Sequence, residues 1–147
     1  MEKPFSATPF LRQLFKALNK IGNEVILVPY SGKPIQSEWW KCYPNPNFGK
    51  SEFLEKFLQK TKSFESNSNK LIPFFARKFA KPKLEKLLKK IISEEKDIAA
   101  IVFVAIPLNQ ITGLPKSLKK QFQIPVLFYD VDLPTSLPEH GGFTFSY

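Results

Sequence analysis

Three aspartates occur in this chain, and two of them, Asp130 and Asp132, follow directly on the apolar run Pro125-Val126-Leu127-Phe128-Tyr129. The single histidine, His140, comes shortly after on the same side. Carboxylates and an imidazole gathered in one loop are the groups that take a proton from an attacking hydroxyl, provided a partner positions them. Thr135 and Ser136 add hydroxyls to that loop. Two further loops put polar groups at the end of an apolar run: Tyr30, Ser31 and Gly32 after residues 24–28, and Asn109 after residues 98–106. Groups of this kind bind a substrate rather than transform it. Each also has a plainer role. An aspartate after a strand caps a helix or orders a turn, Tyr30-Ser31-Gly32 makes an ordinary turn, and a loop histidine is polar surface.

Other chemistries lack their residues. Cys42 is the one cysteine, so there is no internal disulfide, and Cys42 with His140 makes no ligand set for zinc. No histidine lies near Cys42 in sequence to activate its thiol. The chain has no Walker phosphate loop and no G-x-S-x-G elbow. Gly141-Gly142 follows no strand directly and opens no helix, so no dinucleotide fingerprint is present. No metal and no cofactor are expected. Trp39 and Trp40 read as packing residues, with sugar stacking as the alternative.

The elements that must position these residues follow from periodicity. Thr8-Pro9 predicts a helix start, Leu11, Leu14, Phe15, Leu18 and Ile21 recur at helical spacing, and Gly22 ends the helix. Glu24 to Val28 predicts a strand buried on both faces. Residues 31–50 form an aromatic, proline-rich loop that is packed down. A second helix is predicted from Ser51, with Phe53, Leu54, Phe57 and Leu58 at helical spacing, and a flexible polar turn at 63–69. Leu71 to Ala80 is helical in character. Pro82 opens a helix with Leu84, Leu87, Leu88, Ile91 and Ile92 on one stripe and lysines on the other face. Ile98 to Ile106 holds no polar residue and predicts a central strand covered on both sides. A short helix around 116–122 and a third strand at 125–129 follow.

Strands alternating with helices predict an α/β fold, a parallel sheet with helices on both faces, in one domain over residues 1–147. In such sheets ligands bind at the carboxyl ends of the strands, which is where the polar groups above fall. Domains of this class open with a strand and close with a helix. This chain opens with a helix and shows no helix after its third strand, so it reads as a domain incomplete at both ends and part of a larger protein.

Composition narrows the function classes. The chain has 147 residues, 43% of them apolar, which suits one folded domain. No apolar run reaches the roughly 20 residues of a membrane span. Met1 to Ser6 has no apolar signal core, so a cytoplasmic location is expected. The net charge is +9, carried by lysine, since Arg12 and Arg77 are the two arginines. Specific nucleic-acid readers depend on arginine forks, so no specific nucleic-acid partner is expected. A lysine-rich face suits looser attraction to anions, including an anionic membrane surface.

Two segments carry a family resemblance. Phe10-Leu11-Arg12-Gln13-Leu14 through Ala17-Leu18, then Ile21-Gly22-Asn23-Glu24-Val25-Ile26-Leu27-Val28-Pro29-Tyr30, resembles the first helix and following strand of glycosyltransferase amino-terminal domains, including those of family 4. Asn23 stands where that pattern has histidine. Ile124 to Leu137, with Tyr129-Asp130-Val131-Asp132-Leu133-Pro134, resembles a segment of glycosyltransferases related to the spore-maturation protein CgeB. The resemblance implies a three-layer Rossmann-like domain with a mostly parallel sheet. It would be the acceptor-side, amino-terminal half of a two-domain enzyme that moves a sugar from a nucleotide sugar to an acceptor. It implies catalytic roles for Asp130, Asp132 and His140, and substrate contacts from Tyr30, Ser31, Gly32, Asn109, Thr135 and Ser136. Nucleotide sugar would be engaged through a missing second domain, leaving this chain inactive by itself. The lysine-rich helix at 82–94 would rest on an anionic membrane. The alternative is a non-catalytic α/β binding or interaction module that acts through a partner.

Overall fold

The computed structural model describes residues 9–30, 32–48, 74–106 and 108–129. The helix expected from Ser51 and the polar turn at 63–69 lie outside these residues. The chain divides into two compact units, Met1–Lys60 and Thr61–Tyr147. Both mix helix with short parallel strands, an α/β composition. Among the described residues no helix is long and apolar enough to cross a membrane.

In the first unit, helix α1 spans Pro9–Lys20. Leu11, Leu14, Phe15 and Leu18 form its half-buried stripe, as their spacing requires. Its end is a Schellman closure. The Asn23 amide donates to the Leu18 carbonyl at 3.1 Å and the Gly22 amide to the Asn19 carbonyl at 3.0 Å. Gly22 supplies the required left-handed backbone at φ +90°, and the Asn23 side-chain amide adds a second bond to the Leu18 carbonyl. Asn23 thus caps the helix. Ile21, expected on the apolar stripe, falls beyond the last helical turn and is 76% exposed.

Strand β1, Ile26–Leu27, pairs in parallel with β2, Lys41–Cys42. The Lys41 and Tyr43 amides donate to the Val25 and Leu27 carbonyls, each at 2.9 Å. No strand is evident at β2 in the sequence, because its two residues sit inside a loop of prolines and aromatics. The crossover between β1 and β2 is a loop, not a helix. Trp40 anchors it: 7% exposed, it donates its indole N–H to the Ile35 carbonyl at 2.8 Å and meets Phe15 edge-on at 5.9 Å. The expectation of a packed-down aromatic loop holds here through burial of a large ring whose polar atom is satisfied.

In the second unit a π-helical stretch, Ala76–Ala80, runs directly into α2, Lys81–Glu94. The wider turn immediately precedes Pro82, whose ring would otherwise press on the carbonyl of Lys78. Leu84 and Ile91 are buried on α2, and Leu87, Leu88 and Ile92 are half-buried beside them, the predicted stripe. Strand β3, Ile101–Val104, leads through a 3-10 turn at Leu108–Gln110 and helix α3, Leu114–Phe122, to β4, Val126–Tyr129. The two strands pair in parallel, Ile101 opposite Val126 and Val104 opposite Tyr129. A parallel pair joined through a helix is the βαβ unit.

The core of this unit is Phe103, Leu108, Ile111, Leu114 and Leu118 with Leu84 and Ile91. Polar ties brace it. The Ser117 hydroxyl donates to the Glu85 carboxylate at 2.9 Å, and the same carboxylate pairs with Lys89 one turn on. The Lys81 ammonium donates to the Thr112 carbonyl at 2.7 Å.

One expectation about β3 meets a different result. Its neighbour among the described residues is β4 alone, and Val102 and Leu127 remain 50% and 54% exposed while Phe103 is buried. An all-apolar strand is compatible with two covered faces, but here burial alternates along it, and one face is open.

Candidate functional site

Of the residues singled out in the sequence, Tyr30 and Gly32 follow β1 and Asn109 follows β3. Asp130, Asp132, His140, Thr135, Ser136 and Ser31 lie outside the described residues. Tyr30 and Gly32 belong to the first unit and Asn109 to the second.

After β1, the chain turns through Tyr30 and Gly32 beside the loop that leaves β2. Gly32 has φ +77°, and its carbonyl accepts from the side-chain amide of Asn45 at 3.3 Å. Asn45 is buried, and its side-chain oxygen accepts from the Asn47 amide at 2.8 Å, an Asx turn. Tyr30 is half-buried, and burial pushes its phenol above the ordinary range. Gly32 is thereby tied to the loop that leaves β2. Cys42 beside it donates weakly to the Tyr43 carbonyl at 3.6 Å, and burial pushes its thiol up, away from the thiolate that a nucleophile needs.

The carboxyl end of β3 is different in character. Ala105 follows the strand at φ +48°, a left-handed conformation that costs a residue with a Cβ about 1 kcal/mol. Its amide nevertheless donates to the Tyr129 carbonyl at 2.9 Å, so the last residue of β4 lies beside it. The turn that follows is tightly tied. The Ile111 amide donates to the Leu108 carbonyl at 3.1 Å, and the Thr112 hydroxyl reaches the Leu108 and Asn109 carbonyls. Arg77 donates to the Asn109 carbonyl at 2.8 Å. Within this turn one atom is left over: the side-chain oxygen of Asn109 is buried with no hydrogen-bond partner among the described residues. An unmade bond to a buried acceptor costs about 1–3 kcal/mol. It is a reason to look for a donor that comes from outside the fold, such as a ligand hydroxyl or amine. In sequence the next residue after Tyr129 is Asp130, beyond the described residues.

A second concave feature was not foreseen as a site. In the first unit Arg12, Gln13, Lys16, Ser37, Trp39 and Trp40 line a cleft of about 200 Å³. Lys16 lies 4.5 Å from the centre of the Trp39 ring. The sequence signal was present, a basic pair one helical turn apart and a tryptophan pair, but nothing local says that the two pairs meet.

Among the described residues no group of three His, Cys, Asp or Glu side chains gathers that would hold a metal ion. Compared with models of protein families, with curated proteins and with solved structures, the chain matches none of them.

Proposed function

We propose that this chain is the acceptor-side, Rossmann-like domain of a two-domain glycosyltransferase, and that it holds a polyhydroxylated acceptor at the carboxyl ends of β3 and β4. The observation that carries the reading is the buried, unpartnered side-chain oxygen of Asn109. A sugar hydroxyl is a donor of the right kind, and the strand end is where open parallel sheets take ligands. The strained backbone at Ala105 supports it, because strain of that kind gathers at ligand sites. The sugar chemistry rests on the resemblance of the Tyr129-Asp130-Val131-Asp132 segment. In this reading Asp130, Asp132 and His140 supply the base for the acceptor proton, and Thr135 and Ser136 bind substrate with Asn109. Nucleotide sugar is bound by a second domain, so the chain alone binds acceptor without transferring to it.

The test is a titration of the isotope-labelled chain with neutral monosaccharides and disaccharides and, separately, with nucleotide sugars. Acceptor sugars should shift the amide resonances of Ala105 to Thr112, and Asn109→Leu should abolish the shifts. Sugars that leave this turn unmoved, or that bind Asn109→Leu equally well, refute the reading.

A non-catalytic interaction module is the second reading, and one observation favours it. Val102, Leu127 and Tyr129 leave one face of the β3–β4 pair open, at 50%, 54% and 38% exposure. Exposed contiguous apolar surface marks an interaction site. Sedimentation of the chain over a concentration series separates the readings. Association that Leu127→Lys abolishes, without any sugar binding, favours the module.

A further inference from the structure

The cleft on α1 contains a conflict that the described residues of its unit do not resolve. Arg12 and Lys16 are like charges one helical turn apart, which repel on the helix surface by about 0.2–0.5 kcal/mol. Arg12 also sits near the helix N-terminus, whose dipole disfavours a cation, and the first turn of α1 has no acidic residue to offset it. Among the described residues neither Arg12 nor Lys16 has an acidic ion-pair partner. Glu38, next to the lining residues in sequence, is exposed and does not line the cleft. Among the described residues the walls contain donors and cations but no carboxylate: the Arg12 guanidinium, the Gln13 amide, the Lys16 ammonium and the Ser37 hydroxyl. Local rules broken together, with no carboxylate among the described residues to offset the charge, point to a functional site.

The walls are also held in place. Trp40 is locked by its bond to the Ile35 carbonyl and by Phe15. The Ser37 oxygen accepts from the Trp39 amide at 3.2 Å, which leaves its own proton to donate. Lys16 rests over the Trp39 ring, so part of its rotamer freedom is already spent before any ligand arrives. The volume, about 200 Å³, is below that of sites for drug-sized molecules and suits one compact group.

We propose that this cleft is a binding site for a phosphate monoester. Two adjacent cations match a dianion, and a guanidinium fork with neighbouring hydroxyl and amide donors matches phosphate oxygens. The site lies in the first unit and uses none of the strand-end residues, so it stands or falls separately from the acceptor reading. The monoester belongs either to a soluble phosphorylated metabolite or to a lipid headgroup.

Both tryptophans of the chain line the cleft, so intrinsic fluorescence of the intact protein reports its occupancy. Inorganic phosphate and glycerol phosphate are titrated in one arm, vesicles containing phosphatidic acid in the other, with acetate and chloride as controls. A saturable fluorescence change with the phosphate compounds is expected, with Arg12→Gln and Lys16→Gln each weakening it about tenfold. Lys83→Gln, on a helix of the other unit, should leave the response to the soluble phosphate compounds unchanged. A preference for the soluble ester or for the vesicles assigns the source, and either supports the site. Equal responses to acetate and phosphate, an unchanged affinity in both cleft variants, or no response at all overturn it. Because both variants replace exposed side chains, circular dichroism should match the parent protein, and Arg12→Lys, which keeps the charge but loses the fork, should retain part of the affinity.

Discussion

Replacing Asn109 with leucine should stabilise the protein while destroying the proposed site. The side-chain oxygen of Asn109 is buried without a partner among the described residues, and an unmade bond of that kind costs about 1–3 kcal/mol. Leucine has nearly the same shape and no polar atom to desolvate. The backbone carbonyl at this position, which accepts from Arg77 and Thr112, is untouched by the change. Part of the gain is lost to imperfect packing of the new methyl groups, so a net increase of about 1 kcal/mol is expected. With a urea m-value of about 2 kcal/mol/M, the unfolding midpoint should rise by about 0.5 M. The assay is urea denaturation followed by far-ultraviolet circular dichroism, because both tryptophans lie in the other unit. A fall in stability of 1 kcal/mol or more would mean that the oxygen has a structural partner, and the argument for a ligand there would fail. Stabilisation combined with lost sugar binding is the signature of a group kept for function at the expense of the fold.

Leu118 is wholly buried in the middle of α3, so Leu118→Ala should cost about 2–5 kcal/mol, read as a lowered urea midpoint. Glu85 is held below its ordinary value of 4.5, first by its hydrogen bond to Lys89 and further by the Ser117 hydroxyl, with burial opposing. A carboxyl depressed in the folded state contributes stability that is full above its unfolded value and is lost as pH falls through the folded value. Glu85→Gln should therefore be less stable than the parent at neutral pH and converge with it in acid, and parallel stability curves from pH 7 to 2 would refute the assignment. Phe74, Phe75 and Phe79 are 49%, 42% and 56% exposed, with Lys78 placed over two of the rings. If the basic helix rests on an anionic membrane, Phe75→Asn should weaken flotation with phosphatidylserine vesicles about tenfold, and equal flotation of parent and variant would leave only non-specific charge attraction.

The amphipathic helices were legible because their information is local. Leu11, Leu14, Phe15 and Leu18 on α1, and Leu84, Leu87, Leu88 and Ile91 on α2, repeat at a period that holds in a helix, whatever lies opposite. The glycine stop at Gly22 and the strand at Val126–Tyr129 were readable for the same reason. The boundaries of β3 were less so: nine apolar residues in a row name a strand, and the pairing with β4 selects the four that form it.

The candidate sites were legible only in part. Asn109 could be named from its place after an apolar run, but its orphaned oxygen depends on Leu108, Thr112 and Arg77 taking up the other polar groups of the turn. The cleft depends on Ser37 and Trp39 returning to α1 from a loop in which no periodicity points back to Arg12 and Lys16.

The sequence by itself therefore determined helices α1 to α3, the apolar runs available to become strands, and the excess of positive charge, since propensity, periodicity and composition are properties of neighbouring residues. Tertiary structure decided that Lys41–Cys42 is a strand, that Val102 and Leu127 face outward while Phe103 is buried, that Asn109 keeps an unsatisfied acceptor, and that two cations share a cleft with two tryptophans. Each of those outcomes is a pairing or an exclusion of water between segments far apart in the chain, and no local pattern encodes which distant segment will arrive.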